Sequence, residues 1–222
     1  YFLAGVGITA FVLVYFYLPE TLTHESKSGI KESLKNFPNI LRDRDFLRYG
    51  LSSSLAYGGM FSYITGSAFV FMEYFDFSSG QYSALFGMNA AGIILFSQLN
   101  RLVLKRMSPR QALAILYPTL ATIGVALGAA GALMPKIYII APLLFLFLAG
   151  MGMVFPNATA CALATQKRAG SASALLGTLQ FGISAPVSAC VSLFHNETAA
   201  PMTVTVGLSA LFSFTLYRLL SD

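Results

Sequence analysis

Residues 137–166, IYIIAPLLFLFLAGMGMVFPNATACALATQ, form a run of thirty residues without a charged side chain. A helix of about 20 predominantly apolar residues spans the hydrocarbon core of a bilayer, so this run is long enough to cross a membrane. The chain contains six further uncharged runs: Tyr1–Pro19, Tyr49–Met72, Phe77–Asn100, Gln111–Pro135, Ala169–Phe194 and Thr198–Tyr217. A charge at the centre of a span costs about 2.5–3.5 kcal/mol on insertion. Seven runs that avoid this cost predict seven membrane-spanning helices.

The composition argues against a soluble domain. Hydrophobic residues make up 56% of the chain and charged residues 10%, whereas a soluble domain carries about 25% charged residues. Tyr1 already lies inside an apolar run, so we expect the chain to be part of a longer protein. Cys161 and Cys190 also lie in apolar runs, which indicates small buried side chains and not a disulfide framework.

The basic residues indicate how the spans are oriented. Thirteen of the fourteen lysines and arginines fall on one side of the predicted membrane, and Lys136 falls on the other. Because loops rich in lysine and arginine stay in the cytoplasm, the connector after the first span and the C-terminus are predicted to be cytoplasmic. The net charge of +5 then reflects topology and contact with anionic lipid headgroups. It does not indicate a nucleic-acid partner, since exposed aromatic residues are not interleaved with the basic ones.

The chain divides into three predicted segments. Residues 1–18 are the end of one span, residues 19–45 a polar cytoplasmic connector, and residues 46–222 a unit of six spans. Within the connector, apolar residues recur at helical spacing at Ile30, Leu34, Phe37 and Leu41. This pattern predicts an amphipathic helix on the membrane surface, interrupted near Pro38. An irregular solvated linker is the alternative.

Small residues predict where the spans pack closely, because they let the backbones of membrane helices approach each other. The fifth run in chain order, residues 137–166, contains Ala149, Gly150 and Gly152. The sixth run, Ala169–Phe194, is richer in small residues: Gly170, Ala174, Gly177, Gly182, Ala185, Ala189 and Ser192. Pro156 removes a backbone donor from the fifth run and loosens the turn before it. Pro156 is therefore a candidate gating residue, and a proline in a static membrane helix is the alternative.

Polar and aromatic side chains at mid-membrane depth are the candidate substrate-binding residues. Each polar group costs free energy in lipid unless it faces protein or a water-filled cavity. A cavity lined by amides and aromatic rings would suit bulky, partly apolar ligands. In the alternative interpretation, these residues form hydrogen bonds between neighbouring helices. The candidates are Tyr57, Phe61, Tyr63, Asn89, Asn157 and Gln180, with Ser62 at the same depth.

Glu73 ends the second span on the predicted outer side. It is a candidate gating or coupling residue, and an interfacial carboxylate satisfied by water or a neighbouring helix end is the alternative. No carboxylate, histidine or lysine lies deep within any of the seven runs. Proton coupling requires a titratable group in the membrane, so we expect such a group on a part of the protein outside this chain.

The sequence has no catalytic grouping, metal-ligand motif or nucleotide loop. We therefore predict that it is not an enzyme, holds no metal and needs no cofactor.

Several stretches resemble major facilitator drug transporters, and most of them resemble the bicyclomycin-resistance (Bcr/CflA) family. LPETL at 18–22 resembles the end of helix 6 in major facilitator drug antiporters. The others resemble the Bcr/CflA family: YITGSAFVF at 63–71 with Glu73 (helix 7), LFGMNAAG at 85–92 with SQLNR at 97–101 (helix 8), FPNATA at 155–160 (helix 10), and GSASALLG at 170–177 with QFG at 180–182 (helix 11).

The resemblance implies twelve helices in two six-helix halves, each built from inverted three-helix repeats. This chain would supply the end of helix 6 and the C-terminal half, helices 7–12. Helices 1–5 of the N-terminal half would be its partner and would carry the family's helix 1 acid and antiporter motif. Helices 7, 8, 10 and 11 would line the substrate cavity.

The implied activity is proton-coupled export of drug-like compounds, or of sulfur-containing metabolites, across a bacterial inner membrane. The proton gradient would supply the energy. A passive channel or facilitator of the same fold and an intramembrane enzyme are the alternatives.

Overall fold

A computed structural model describes residues 2–17, 36–166 and 168–221. Its helices are α1 (Phe2–Tyr17), α2 (Arg44–Ala68), α3 (Ser79–Val103), α4 (Pro109–Leu133), α5 (Ile137–Leu163), α6 (Ala169–Leu193) and α7 (Ala200–Leu219), and a π-helix, Phe69–Tyr74, extends α2. The described residues contain no β-strand. α2 with its π-helical extension and each of α3 to α7 are long and apolar enough to cross a membrane. The predicted all-α membrane fold is confirmed.

α1 belongs to a separate unit, since residues 1–34 and 35–222 form two compact units. By itself α1 is an apolar helix of 16 residues, in which the rings of Phe11 and Tyr15 stack 6.2 Å apart. This length is shorter than the ~20 residues of a full span. The assignment of residues 1–18 to the end of a span stays a prediction.

Most of the predicted connector lies outside the described residues, including Ile30 and Leu34 of the predicted amphipathic helix. Residues 36–40 are helical, Pro38 included, and a turn follows at 41–42. Pro38 itself lies in the helix, which ends two residues later, before the turn, so the predicted amphipathic helix with an interruption near Pro38 stays a prediction.

Asp43 begins α2 and ties it to the end of α5. Its Oδ1 accepts a hydrogen bond from the backbone N–H of Phe46 at 2.9 Å. Its Oδ2 accepts bonds from Thr165 at 2.8 Å and from Gln166 at 2.9 Å. Burial raises the pKa of the Asp43 carboxyl, but these hydrogen bonds lower it more, so the pKa lies below its ordinary value.

Basic residues gather where α2 and α4 begin and where α7 ends. Arg110 forms an ion pair with Asp45. The guanidinium of Arg48 donates to the Tyr217 carbonyl at 3.1 Å and lies 4.2 Å from the centre of the Tyr217 ring. We call this the basic end of the bundle, and the other, where α6 ends and α7 begins, the opposite end.

Serine caps fix where two of the spans begin. Ser78 and Ser108 each accept a hydrogen bond from the backbone N–H three residues later, and the glutamine at that position bonds back to the serine N–H. This capping box satisfies two backbone donors that the first turn of a helix leaves free. The two serines therefore fix the first turns of α3 and α4.

The six long helices of residues 35–222 pack in two layers. One layer is the row α3–α5–α2–α6, in which each helix packs against its neighbour, and the second is the pair α4–α7, which packs on α5 and α2. α2 and α5 therefore occupy the centre of the unit, and α3 and α6 lie at the two ends of the row.

Close packing between α3 and α5 depends on glycines. A Cβ on Gly152 of α5 would collide with the backbone carbonyl of Ile93, and a Cβ on Gly92 of α3 would lie 2.6 Å from the Phe145 ring. The prediction for α6 differs from the structure. A Cβ on Gly170, Gly177 or Gly182 would meet no atom within 4 Å. The expected close packing at these three glycines is therefore wrong within the described residues.

Candidate functional site

Four aromatic rings from three helices meet at mid-span, and we call them the aromatic cluster: Tyr57 and Phe61 of α2, Phe155 of α5 and Phe181 of α6. The Tyr57 ring centre lies 5.2 Å from Phe61, 4.6 Å from Phe155 and 6.0 Å from Phe181. Phe61 and Phe181 meet edge to face at 5.8 Å. Rings at these separations attract each other, and their faces also attract cations. The cluster can therefore bind an aromatic or cationic molecule.

Two buried polar groups lie close to Phe181 along α6, but neither lines the cavity beside the cluster. Gln180 precedes Phe181 and is 8% exposed, and its amide has no hydrogen-bond partner among the described residues. One helical turn further on, the hydroxyl of Ser184 is buried and also lacks a partner there. Buried polar groups are normally hydrogen-bonded. Gln180 and Ser184 are thus two buried polar groups of α6 whose hydrogen-bonding capacity is unused among the described residues.

An open cavity of about 320 Å³ adjoins the cluster between α2 and α6. We call it the middle cavity. It is lined by Phe61, Thr65, Phe181, Ala185, Ser188 and Ala189. Cavities of this size, largely apolar with a few polar groups, hold small organic molecules in other proteins. The cluster therefore has open space beside it.

Tyr63 and Asn89, two further predicted site residues, form a separate pair that joins α2 to α3. The Asn89 amide donates to the Tyr63 hydroxyl at 3.1 Å. Both residues are buried, and the Phe86 ring stacks on the Tyr63 ring at 5.7 Å. The other end of the Asn89 amide, Oδ1, has no hydrogen-bond partner in the part of the chain that the structure describes. The structure places this pair apart from the aromatic cluster.

Asn157 lies in a bridge between α5 and α3. Its Nδ2 donates to Asn100 Oδ1 at 2.8 Å and to the Met153 carbonyl at 2.9 Å, and Asn100 Nδ2 donates back at 3.4 Å. Both amides are buried. These bonds correspond to the interhelical alternative, and a substrate-binding role for Asn157 stays a prediction.

Replacing Asn157 with leucine should leave the Asn100 amide buried without its hydrogen-bond partner. We expect this to destabilise the six-helix unit by about 1–3 kcal/mol, the cost of a buried unsatisfied polar group. Thermal unfolding in detergent measures the change. The double variant with Asn100→Leu should unfold at a higher temperature than the Asn157→Leu variant alone, because no buried amide then lacks a hydrogen-bond partner. Strictly additive losses would argue against the bridge.

The two gating candidates are both exposed. Glu73 lies in the π-helix at the opposite end, and α5 stays helical through Pro156. Their proposed roles stay predictions.

Phe155 and Phe181 belong to the cluster but were not among the predicted site residues. The only signal for them was their place beside Asn157 and Gln180, since phenylalanine is common throughout these spans.

The model of the Major Facilitator Superfamily matches residues 1–189. The chain belongs to the Major Facilitator Superfamily. It is 31% identical to the "Uncharacterized MFS-type transporter YdgK" of Bacillus subtilis, over 96% of this chain and 55% of that protein. It is 26% identical to the "Bicyclomycin resistance protein homolog" of Haemophilus influenzae, over 100% of this chain and 56% of that protein. No solved structure matches the chain significantly.

These relatives confirm the resemblance to the Bcr/CflA family. The chain spans about half the length of the curated relatives that it matches. It is accordingly a multi-pass membrane protein of a transporter superfamily, with the six-helix half bundle of that fold.

Proposed function

We propose that this chain forms the C-terminal half of a proton-coupled multidrug exporter that works by alternating access. The observation that carries the proposal is the aromatic cluster, in which rings from α2, α5 and α6 meet at mid-span beside the middle cavity. The name of the Haemophilus relative, a bicyclomycin resistance protein homolog, supports a drug as the transported compound. The substrate class is a bulky, partly apolar molecule with an aromatic ring, neutral or cationic.

The cluster would bind such a molecule through ring faces and the Gln180 amide. A desolvated cation over an aromatic face is stabilised by about 2 kcal/mol, and an exposed one by about 0.5–1 kcal/mol. These moderate energies suit a transporter, because a bound molecule must also leave. The Gln180 amide, which has no partner among the described residues, offers both a donor and an acceptor.

Transport requires a second set of helices opposite this half. We propose that helices 1–5 of the N-terminal half complete the cavity, and that rocking of the two halves exposes it to each side in turn. The described parts of α2 to α7 place no carboxylate near the aromatic cluster. The proton-coupling group is therefore assigned to the N-terminal half. We expect no cofactor, metal or catalytic step.

We further propose a bacterial inner membrane location with the basic end in the cytoplasm. The meeting of Arg48 and Arg110 at one end of the bundle supports this orientation, because basic residues are retained on the cytoplasmic side.

Transport by the complete protein in inside-out membrane vesicles tests the proposal, with ethidium, a planar aromatic cation, as the probe. We expect ethidium to accumulate when the vesicle interior is acidic and to leak out when nigericin collapses the pH gradient. Vesicles without the protein are the control. Equilibration that ignores the pH gradient would favour a passive facilitator. The absence of any protein-dependent movement would contradict the proposal for this class of compound.

A further inference from the structure

A second cavity lies beyond the middle cavity, toward the opposite end of the bundle. It has a volume of about 320 Å³ and lies among α2, the end of α6 and the beginning of α7. We call it the end cavity. Its lining includes Thr65, Phe69, Ser192, His195, Thr198 and Met202. None of these residues was among the predicted site residues.

Thr65 lines both cavities, so the two are neighbours along α2. Phe61, Thr65 and Phe69 are spaced four residues apart, and this spacing places them on one face of the helix. Eight residues of helix rise about 12 Å. The face therefore leads from the aromatic cluster to the end cavity over about 12 Å, with Thr65 at the midpoint.

The end cavity repeats the chemistry of the cluster. The rings of Phe69 and His195 meet edge to face at 4.3 Å, and Met202 and Val70 add apolar surface. The imidazole and the Ser192 hydroxyl can each donate and accept hydrogen bonds. Thr198 differs from them, since its hydroxyl bonds to Asn196 and to the backbone N–H of Ala200. An aromatic molecule with one polar group matches this lining.

The backbone of α2 also changes at this cavity. The α-helical part ends at Ala68 and the π-helix begins at Phe69. π-helical turns are rare and occur frequently at functional sites. The change of helix type occurs at the residue whose ring contacts His195.

From this geometry we propose that the end cavity is a second substrate subsite, in which the aromatic part of an exported molecule rests after it leaves the cluster. The inference rests on the proposed function. Two moderate sites in series allow release, because neither site then needs to bind the molecule too tightly for it to leave. The continuity with the cluster commits the cavity to the transported molecule and not to a helix of the other half.

Thr65→Leu tests the proposal, because the larger apolar side chain would narrow the junction of the two cavities. Ethidium should bind the purified complete transporter less tightly, but by clearly less than tenfold in a fluorescence titration in detergent, because the rings of the cluster remain. Its rate of pH-driven movement in vesicles should fall about tenfold. Thr119→Leu is the matched control: Thr119 is an exposed threonine of α4 outside both cavities, and its replacement should leave both measurements unchanged.

The other results have defined meanings. Unchanged ethidium movement in Thr65→Leu overturns the second subsite. An equal loss of binding and movement also overturns it, because Thr65 would then belong to a single site with the cluster. If the unmodified transporter neither binds nor moves ethidium, the proposed function fails instead.

Cysteine labelling tests the subsite without altering its shape. Ser192→Cys is made with Cys161 and Cys190 replaced by alanine, and the complete transporter is treated with a maleimide. We expect labelling that ethidium slows at least threefold, while Thr119→Cys labels at the same rate with and without ethidium. Labelling of Ser192→Cys that ethidium does not slow contradicts the proposal. Failure of Ser192→Cys to label under any condition also contradicts it, because another helix would then fill the cavity.

Discussion

Replacing Gly152 with alanine should prevent α3 from packing on α5 and destabilise the six-helix unit by about 3 kcal/mol, the upper end of the cost of overpacking. The added Cβ would collide with the Ile93 carbonyl and lie 3.2 Å from the backbone nitrogen of Ser97. Both obstacles are backbone atoms, which cannot rotate away as a side chain can. The helices must therefore separate, and the Asn100–Asn157 bridge between them must stretch.

Gly177→Ala provides a matched control for this prediction. Gly177 also lies inside a membrane helix, but its added Cβ would meet no atom within 4 Å. Alanine favours a helix over glycine by about 1 kcal/mol, so this variant should be as stable as the unmodified chain or more so. Fluorescence-detected size exclusion and thermal unfolding in detergent distinguish the two. Equal stability of both variants would show that α3 and α5 do not approach each other as closely as the structure has them.

The contrast between these two glycines shows what the sequence does not reveal about packing. Both lie in uncharged runs rich in small residues, and the small-residue pattern predicted close contacts in α5 and α6 alike. Whether a glycine faces another backbone depends on the rotation of each helix and on its neighbour. Neither is encoded within one helix, since only the final packing of α5 against α3 makes Gly152 indispensable.

The spans themselves could be predicted well, because bilayer thickness and the cost of a buried charge act on each segment alone. The run Ile137–Gln166 became α5 (Ile137–Leu163), and Gln111–Pro135 became α4 (Pro109–Leu133). The capping boxes at Ser78 and Ser108 are local features as well, since each depends only on a serine and the glutamine three residues later. The π-helix after Ala68 had no such signal, because its sequence, FVFMEY, resembles any apolar helix end.

The candidate site could be predicted only in part. The polar residues were found because amides and hydroxyls are costly in lipid, but this cost does not reveal their partners. Asn157 pairs with Asn100, which lies 57 positions away. Tyr57 and Phe61 meet Phe155 and Phe181, two apolar residues that no polar signal marks. The aromatic cluster therefore becomes visible only when α2, α5 and α6 are brought together.

Phe181→Ala should raise the KM for ethidium movement by about tenfold and leave folding unchanged. The centre of the Phe181 ring lies 6.0 Å from that of Tyr57 and 5.8 Å from that of Phe61. The same ring also lines the middle cavity. Its loss removes one aromatic face from the cluster. A face that stabilises a partly desolvated cation by about 1.4 kcal/mol corresponds to a tenfold change in affinity.

Phe212→Ala separates this effect from a general loss of aromatic surface. Phe181 is 58% exposed and Phe212, on α7, is 56% exposed, so both variants remove a ring of similar exposure from a membrane helix. Only Phe181→Ala should weaken ethidium movement, and Phe181→Tyr should restore most of it, because tyrosine presents the same ring face. If the two alanine variants transport ethidium equally well, the aromatic cluster does not bind the transported molecule. Unchanged unfolding temperatures for both would show that a change in KM comes from binding and not from a disturbed bundle.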